Sequence, residues 1–339
     1  MTTRSRRDRL ASWLGRTGMM RPLARLWHAG HDGVVILAYH RVVDTGPEAD
    51  FPWDIDLVSA SSTAFDRQMA EIRRHYHPVG LEEVWRRWSR GRRLPRRAVA
   101  VTFDDGFADN ATCALPILRR HGIPATVFVS SGYVGSRTPF WFDGLAHWVN
   151  TTQAERMTIA GEVWSLTCMD SRRRAGWAAL GHLKQLEEPR RQEQLEAWRT
   201  EIGEDDELDE GSRPLSRVEL QALVEGGISI GSHTVSHPVL SRCDDATLRR
   251  ELTQSRHDLE AMTGSPVTTL SYPVGGADAH GHRVREAARE AGYRLACAYV
   301  PGFNRRRTAD RFALRRQRIE RYIDHDRFRA MLACPEVFK

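Results

Sequence analysis

An α/β fold on a mostly parallel sheet, open or closed into a barrel, is predicted by three observations. Short apolar runs rich in β-branched and aromatic residues recur along the chain, each bounded by Gly, Pro or polar residues. Amphipathic stretches with helical spacing separate them, and that alternation buries a parallel sheet on both faces. The 339 residues, 41% of them hydrophobic, suffice for a full core in one large domain or two ordinary ones.

The first element is a basic arm, residues 1–30, with seven Arg against one Asp. Its Leu10, Trp13 and Leu14, then Leu23, Leu26 and Trp27, fall at helix-like spacings. An arginine-rich amphipathic helix of this kind suits an anionic membrane surface or packing on its own domain. The body, residues 31–335, begins with VVILAY (34–39), which reads as a strand. A helix follows in AFDRQMAEIRRHY (64–76), with Phe65, Met69 and Ile72 on one face. AVAVTF (98–103) is the next strand and runs straight into Asp104, Asp105 and Gly106; ATVFVS (125–130) is another. From about Gly144 to Arg213 the alternation breaks. This long, highly charged stretch reads as a helical insertion ending in an acidic surface loop, GEDDELDEG (203–211). ISIGS (228–232), TTLSYP (268–273) and YRLACAYV (293–300) complete the strands. Between them, ATLRRELTQSRHDLEAMTG (246–264) aligns Leu248, Leu252, Leu259 and Met262 and closes on Gly264, and HRVREAAREAGY (282–293) closes on Gly292. In such sheets chemistry gathers at the C-terminal ends of the strands.

Net charge is +6, and the arm supplies all of it, so the body is close to neutral. A nucleic-acid-binding surface spread over the fold is thereby excluded. Cys113, Cys168, Cys243, Cys297 and Cys334 are odd in number and widely spaced, with no C-x-x-C pair. Reduced thiols in a cytosolic setting fit this better than a disulfide framework or a cysteine zinc site. No run of eighteen apolar residues occurs, and the N-terminus lacks an apolar stretch leading to a small-residue cleavage site. The expected location is the cytoplasm, at the inner membrane surface through the basic arm.

Two features carry chemistry. Asp104 and Asp105 crowd like charges at a strand end, where successive side chains point opposite ways and two aspartates can hold distinct roles. The pair also reads as N-cap or turn residues for FADNATCALPILRRHG. ISIGSHTVSHPVLS ends another strand with His233 and His237 at i, i+4, a spacing that one helical turn brings to the same side. Two imidazoles and one aspartate form a ligand set that leaves a position open for water. A divalent cation there neutralises one carboxylate and leaves its neighbour free to act.

TFDDG followed by SHTVSHP resembles the polysaccharide deacetylases, the nodulation-protein-B homology group among the carbohydrate esterases. The likeness extends through PILRRHGIPATVFVS, LRRELTQSRHDLEAMTG and LSYPVGG, and covers roughly residues 34–320 apart from the insertion. It implies a distorted (β/α) barrel of about seven strands rather than the usual eight, and a metal-dependent hydrolase of N-acetyl groups on sugars. Carried over residue by residue, Asp104 is the general base, and Asp105, His233 and His237 hold the metal. Zinc fits that set, and cobalt or manganese suits the same ligands.

The family's catalytic-acid histidine, usually in a late Leu-x-His motif, has no late copy here. A biofilm-polysaccharide branch carries it on an early strand in permuted order. ILAYHRV then gives that role to His40, which otherwise reads as a hydrogen-bonded histidine near the barrel mouth. Where many members have an arginine two residues before a proline, this chain has Ser271, followed by Tyr272 and Pro273. FALRRQRIERY offers Arg316 and Arg318 as replacements, Arg316 foremost, although the segment also reads as a solvated arginine run. The family's aspartate–tryptophan motif has no clear counterpart; FWFDG (140–144) offers Trp141 and Asp143 to line the substrate groove. The expected substrate-binding residues are therefore Tyr272, Pro273, Trp141 and Arg316. The expected partner is a carbohydrate, with peripheral membrane contact through the arm and no nucleic acid. An amidohydrolase on a non-sugar amide, an O-acetyl glycan esterase and an inactive glycan-binding homologue are the alternatives.

Overall fold

The structure is a computed structural model and describes residues 10–11, 13–15, 19–203 and 212–338. Among these, one nine-stranded sheet organises the chain. Its strands are β1 (Gly33–Tyr39), β2 (His77–Pro78), β3 (Ala98–Phe103), β4 (Ala125–Val129), β5 (Ser229–Ser232), β6 (Thr269–Ser271), β7 (Leu295–Cys297), β8 (Asn304–Arg305) and β9 (Gln317–Arg318). In space the path runs β7-β6-β5-β4-β3-β1-β8, with β9 also beside β1 and β2 beside β3. Every pairing is parallel except that of β8 with β1. β1, β3 and β4 are buried at every position, as strands covered on both faces must be.

Closure comes from the end of the chain. The Leu314 N–H donates to the Ala296 carbonyl at 2.9 Å, and its own carbonyl accepts from Ala298 N–H at 2.8 Å, so it bonds along β7. Three residues later β9 pairs with β1, with Leu37 opposite Gln317. The segment 314–318 thus spans from the last long-path strand to the first and curls the sheet into a distorted (β/α) barrel. Seven strands lie on the continuous path, the expected number, and the two-residue β2 and β9 lie off it.

Helices α1 (Met20–Ala29), α2 (Ser62–His75), α3 (Leu81–Trp88), α4 (Leu115–His121), α5 (Trp141–Thr151), α6 (Met169–Leu183), α7 (Glu188–Ile202), α8 (Arg217–Glu225), α9 (Asp245–Thr263), α10 (His282–Glu290) and α11 (His325–Ala333) cover and extend the barrel. α2 begins where the Ser61 hydroxyl accepts from Ala64 N–H, buries Phe65, Met69 and Ile72, and ends on Arg73, Arg74 and His75 beside its negative dipole end. α1 lies on α11, where the His28 ring donates to the Leu332 carbonyl at 2.9 Å and Trp27 packs edge-on to Phe303. Leu10, Trp13, Met19 and Leu26 remain exposed. No helix among the described residues is long and apolar enough to cross a membrane.

Between β4 and β5 lies the expected insertion, but it is not wholly helical. Arg156–Ile159 pairs antiparallel with Glu162–Ser165, and the connecting Ala160 and Gly161 both have positive φ, as a tight two-residue hairpin turn requires. Around the hairpin, α5, α6 and α7 share an apolar cluster with Leu145, Ile159, Ala179 and Trp198. The acidic loop lies, apart from Gly203, outside the described residues.

Candidate active site and metal centre

β3 delivers the two aspartates. Asp104 N–H donates to the Tyr39 carbonyl at 2.9 Å and so extends the β1–β3 ladder by one residue. The chain then turns through two consecutive left-handed residues, Asp105 at φ +73° and Gly106 at φ +90°. Aspartate tolerates that region better than most side chains. At position 106 a Cβ would also meet Val129 Cγ1 at 3.1 Å, so glycine is favoured twice. Of the expected alternative, the helix-capping half is not realised, whereas Asp105 does serve as a turn residue. Asp109 precedes a π-helical turn (Asn110–Ala114), and α4 starts after it.

The turn sends the neighbouring carboxylates into different company. Asp105 faces His233 and His237, whose Nε2 atoms lie 3.3 and 3.4 Å from its Oδ1. One ligand atom from each of the three residues falls within 4.8 Å of the others, and all three residues are buried. The histidines converge through a loop, not through the expected helical turn. Thr234 (φ +69°) and His237 (φ +57°) are both left-handed. Two groups hold that strained loop: Thr234 Oγ1 accepts from His237 N–H at 3.1 Å, and the buried Glu251 carboxylate on α9 accepts from Val235 N–H, Ser236 N–H and Ser236 Oγ.

These residues fit a divalent cation. Ion–ligand bonds of about 2.0–2.1 Å in a tetrahedron set ligand atoms about 3.3–3.4 Å apart, the spacing of Asp105 Oδ1 from each imidazole Nε2 and longer than an ordinary hydrogen bond. His233 Nδ1 donates to the Ser271 carbonyl at 2.7 Å, which fixes the tautomer and presents the Nε2 lone pair. Asp105 Oδ2 is buried without a partner, a costly state for a carboxylate oxygen that a cation relieves. Burial pushes the Asp105 carboxyl upward, but the two imidazoles override it and hold it well below the usual carboxylate range. Burial lowers His237 to about 4, which keeps its ring neutral. For His233 burial is outweighed by Asp105 and Asp104, which push it up; the same negative field attracts a cation.

Asp104 is held instead by Arg316. Nη1 and Nη2 donate to the two carboxylate oxygens at 2.7 Å each, a bidentate pair with the arginine fully buried. The remaining guanidinium bonds go to the Ala298 carbonyl, Thr102 Oγ1 and Ser271 Oγ. Ser271 therefore leaves room for a guanidinium arriving from the residue just before β9 and accepts one of its bonds. The arginine-run reading holds for exposed Arg315 but fails for Arg316. Arg316 does not border the cleft; its guanidinium is spent on the Asp104 carboxylate and the groups around it. Burial raises the Asp104 carboxyl, and Arg316, with His233, overrides that and keeps it below its ordinary value.

His40, one residue beyond β1, borders a cleft of about 510 Å³ together with Asp104, Asp105, His233 and His237. Its backbone is pinned on both sides, N–H to Ser59 Oγ and carbonyl to Asn110 Nδ2, each at 2.9 Å. Its ring stands edge-on to Tyr299 at 5.3 Å. Asp109 fixes the next two residues, accepting from Arg41 Nε and Val42 N–H. The expected substrate residues divide. Trp141 borders the cleft, donates its indole N–H to the His237 carbonyl at 3.0 Å and lies under the Arg191 guanidinium. Tyr272 reaches the cleft with only 1% of its surface exposed, its hydroxyl committed to the Phe312 carbonyl. Pro273 and Asp143 do not line it; Asp143 is buried, accepting from Asp54 N–H and Ser212 Oγ. Sequence reasoning missed Glu251, Asp109 and Asn110. Their signals were present: a glutamate on the apolar face of α9, and two polar residues trailing the aspartate pair.

The family model described as polysaccharide deacetylase matches residues 91–296, a span that excludes both His40 and Arg316. A poly-β-1,6-N-acetyl-D-glucosamine N-deacetylase of Escherichia coli (strain K12) is 32% identical over 96 residues, 28% of this chain and only 13% of that protein's length. Among solved structures, a Streptococcus pyogenes deacetylase in complex with acetate aligns with a TM-score of 0.59 at 19% identity, covering 90% of this chain and 99% of its own. IcaB from Ammonifex degensii aligns with a TM-score of 0.55 at 19% identity, covering 89% and 96%. At these identities the structural likeness is one of fold.

Proposed function

The chain belongs to the polysaccharide deacetylase family, and from that premise we propose that it is a metal-dependent hydrolase removing acetyl groups from N-acetylated sugars of a polysaccharide or oligosaccharide. One observation carries the reading: two adjacent carboxylates with different partners. Asp105 shares a three-ligand set with His233 and His237, while Asp104 stands beside it, ionised and aimed by Arg316.

Asp105, His233 and His237 would hold the cation, zinc by the chemistry of the donors. When bound, it supplies Lewis-acid polarisation of the acetyl carbonyl and a lowered water pKa. Asp104 accepts the proton of the attacking water as general base. Arg316 keeps that carboxylate ionised and fixes the direction in which it accepts. His40, which borders the same cleft, donates a proton to the departing amine nitrogen, a poor leaving group without one. Acetate and a free amino sugar result. The poly-N-acetylglucosamine specificity of the E. coli relative makes N-acetylglucosamine polymers the first substrates to try.

The test is acetate release from N-acetylated and O-acetylated glycans by the full chain, with added zinc or cobalt and after chelation. Release from N-acetylglucosamine oligomers that chelation stops and metal restores is expected; none from any N-acetylated glycan overturns the reading. For location we propose the cytoplasmic membrane face: exposed Leu10, Trp13, Met19 and Leu26 beside an arginine-rich start suit anionic lipid. Co-sedimentation with anionic but not neutral vesicles is expected, and equal recovery with both overturns it.

A further inference from the structure

The cleft has a second wall that no barrel strand provides. α6 of the insertion, with the Lys184 that caps its C-terminus, contributes Trp177, Leu180, Gly181 and Lys184, spaced i, i+3, i+4, i+7, so one stripe of the helix faces the opening. The opposite stripe, Ala175, Ala179 and Leu183, is fully buried in the insertion's core and fixes the helix orientation. Trp177 nevertheless keeps 52% of its surface exposed, unusual for an indole on a well-packed helix. Four residues on, Gly181 carries no side chain, and a Cβ built there meets nothing within 4 Å, so the space beside the indole is open. Polar groups rim it: Lys184 and Asp54, close enough to act on each other electrostatically, and Asp56.

We infer that Trp177 and the gap over Gly181 form a subsite for a second sugar ring of the substrate chain, flanking the ring whose acetyl group lies at the metal centre. The inference rests on the glycan reading above and names where the chain runs beyond the reacting residue. A pyranose has an apolar C–H face that stacks on an indole and a hydroxyl edge that needs donors and acceptors. Trp177 supplies the first, and Lys184, Asp54 and Asp56 supply the second. A ring seated there extends away from Asp104 toward the insertion.

The test compares an N-acetylglucosamine dimer with the pentamer, using acetate release and calorimetric binding by the full chain. Trp177→Ala is expected to raise KM for the pentamer roughly tenfold with kcat held, erasing the preference for the longer chain. Trp177→Phe, which keeps a ring, retains most of that preference. Gly181→Leu fills the open space from a helical position, where leucine also favours the helix. It is expected to lose the preference while its melting temperature holds or rises. Unaltered preference in both Trp177→Ala and Gly181→Leu overturns the subsite, as does an equal fall in kcat on dimer and pentamer. A wild type that binds the pentamer but releases acetate from no N-acetylated glycan overturns the deacetylase reading, and Trp177→Ala weakening that binding still supports the subsite. A wild type that binds neither oligomer overturns the subsite.

Discussion

The floor and the wall of the cleft are built by different rules. The floor draws Asp104, Asp105, His233 and His237 from beyond two separate strand ends, with Arg316 behind Asp104, each buried and tied to a named partner. The wall draws Trp177, Gly181 and Lys184 from one stripe of one inserted helix, half open to solvent. Strand ends in a closed sheet cannot shift without breaking ladders, so they suit groups that must be aimed within a fraction of an ångström. A helix resting on its own small core can change its outer stripe without disturbing the barrel. Chemistry is thus anchored in the framework, and chain-length selectivity in the attachment.

Variants sharpen that contrast from large effects to small. Asp104→Asn keeps the shape but removes the base, so acetate release should fall by about 10³–10⁴-fold, while zinc measured by mass spectrometry stays with the protein. Loss of zinc in this variant would break the division of labour between the two aspartates. Arg316→Lys replaces a bidentate fork with a point charge and should cost about 10²-fold in kcat with metal content again unchanged; full activity would deny the arginine its positioning role. Glu251→Gln loosens the His233–His237 loop without touching a ligand. A loss of about 10–100-fold in metal affinity is expected, read by competition with a chelator.

At the wall the expected effects are smaller. Asp54 is raised to about 7, by burial first and then by Asp143. The folded state therefore holds a proton that the unfolded chain releases near pH 4, and stability falls as pH rises from about 4 to about 7. Asp54→Asn keeps the acceptor for Asp56 N–H and removes that loss. It should gain about 1–2 kcal/mol over wild type at pH 8 and nothing at pH 3.5, measured by urea unfolding. An equal gain at both would refute the cause.

The same division governs what could be read from the sequence. The strands and the apolar faces of α2 and α9 were legible because burial writes a period into the residues, as Phe65, Met69 and Ile72 do. Asp104, Asp105, His233 and His237 were legible because strand ends gather chemistry. The route between the histidines was not: it depends on left-handed Thr234 and His237, held by Glu251 some fifteen residues away. Arg316 was ambiguous among neighbouring arginines, since only the folded partner distinguishes a buried guanidinium from a solvated one. The hairpin in the insertion was missed because its alternation, in Arg156–Ile159, lasts a mere four residues. Trp177 gave no signal, as exposure on a helix leaves no trace in spacing.

The guanidinium that steadies Asp104 sits immediately before β9, and the same segment, 314–318, stitches the barrel's seam. Asp105, His233 and His237 draw their mutual contacts from β3 and the loop after β5, whereas Asp104 takes its counter-ion from that closing segment alone. The ligand set and the ionised base thus depend on different stretches of the chain, one ending at His237 and the other completed only by the segment that closes the sheet.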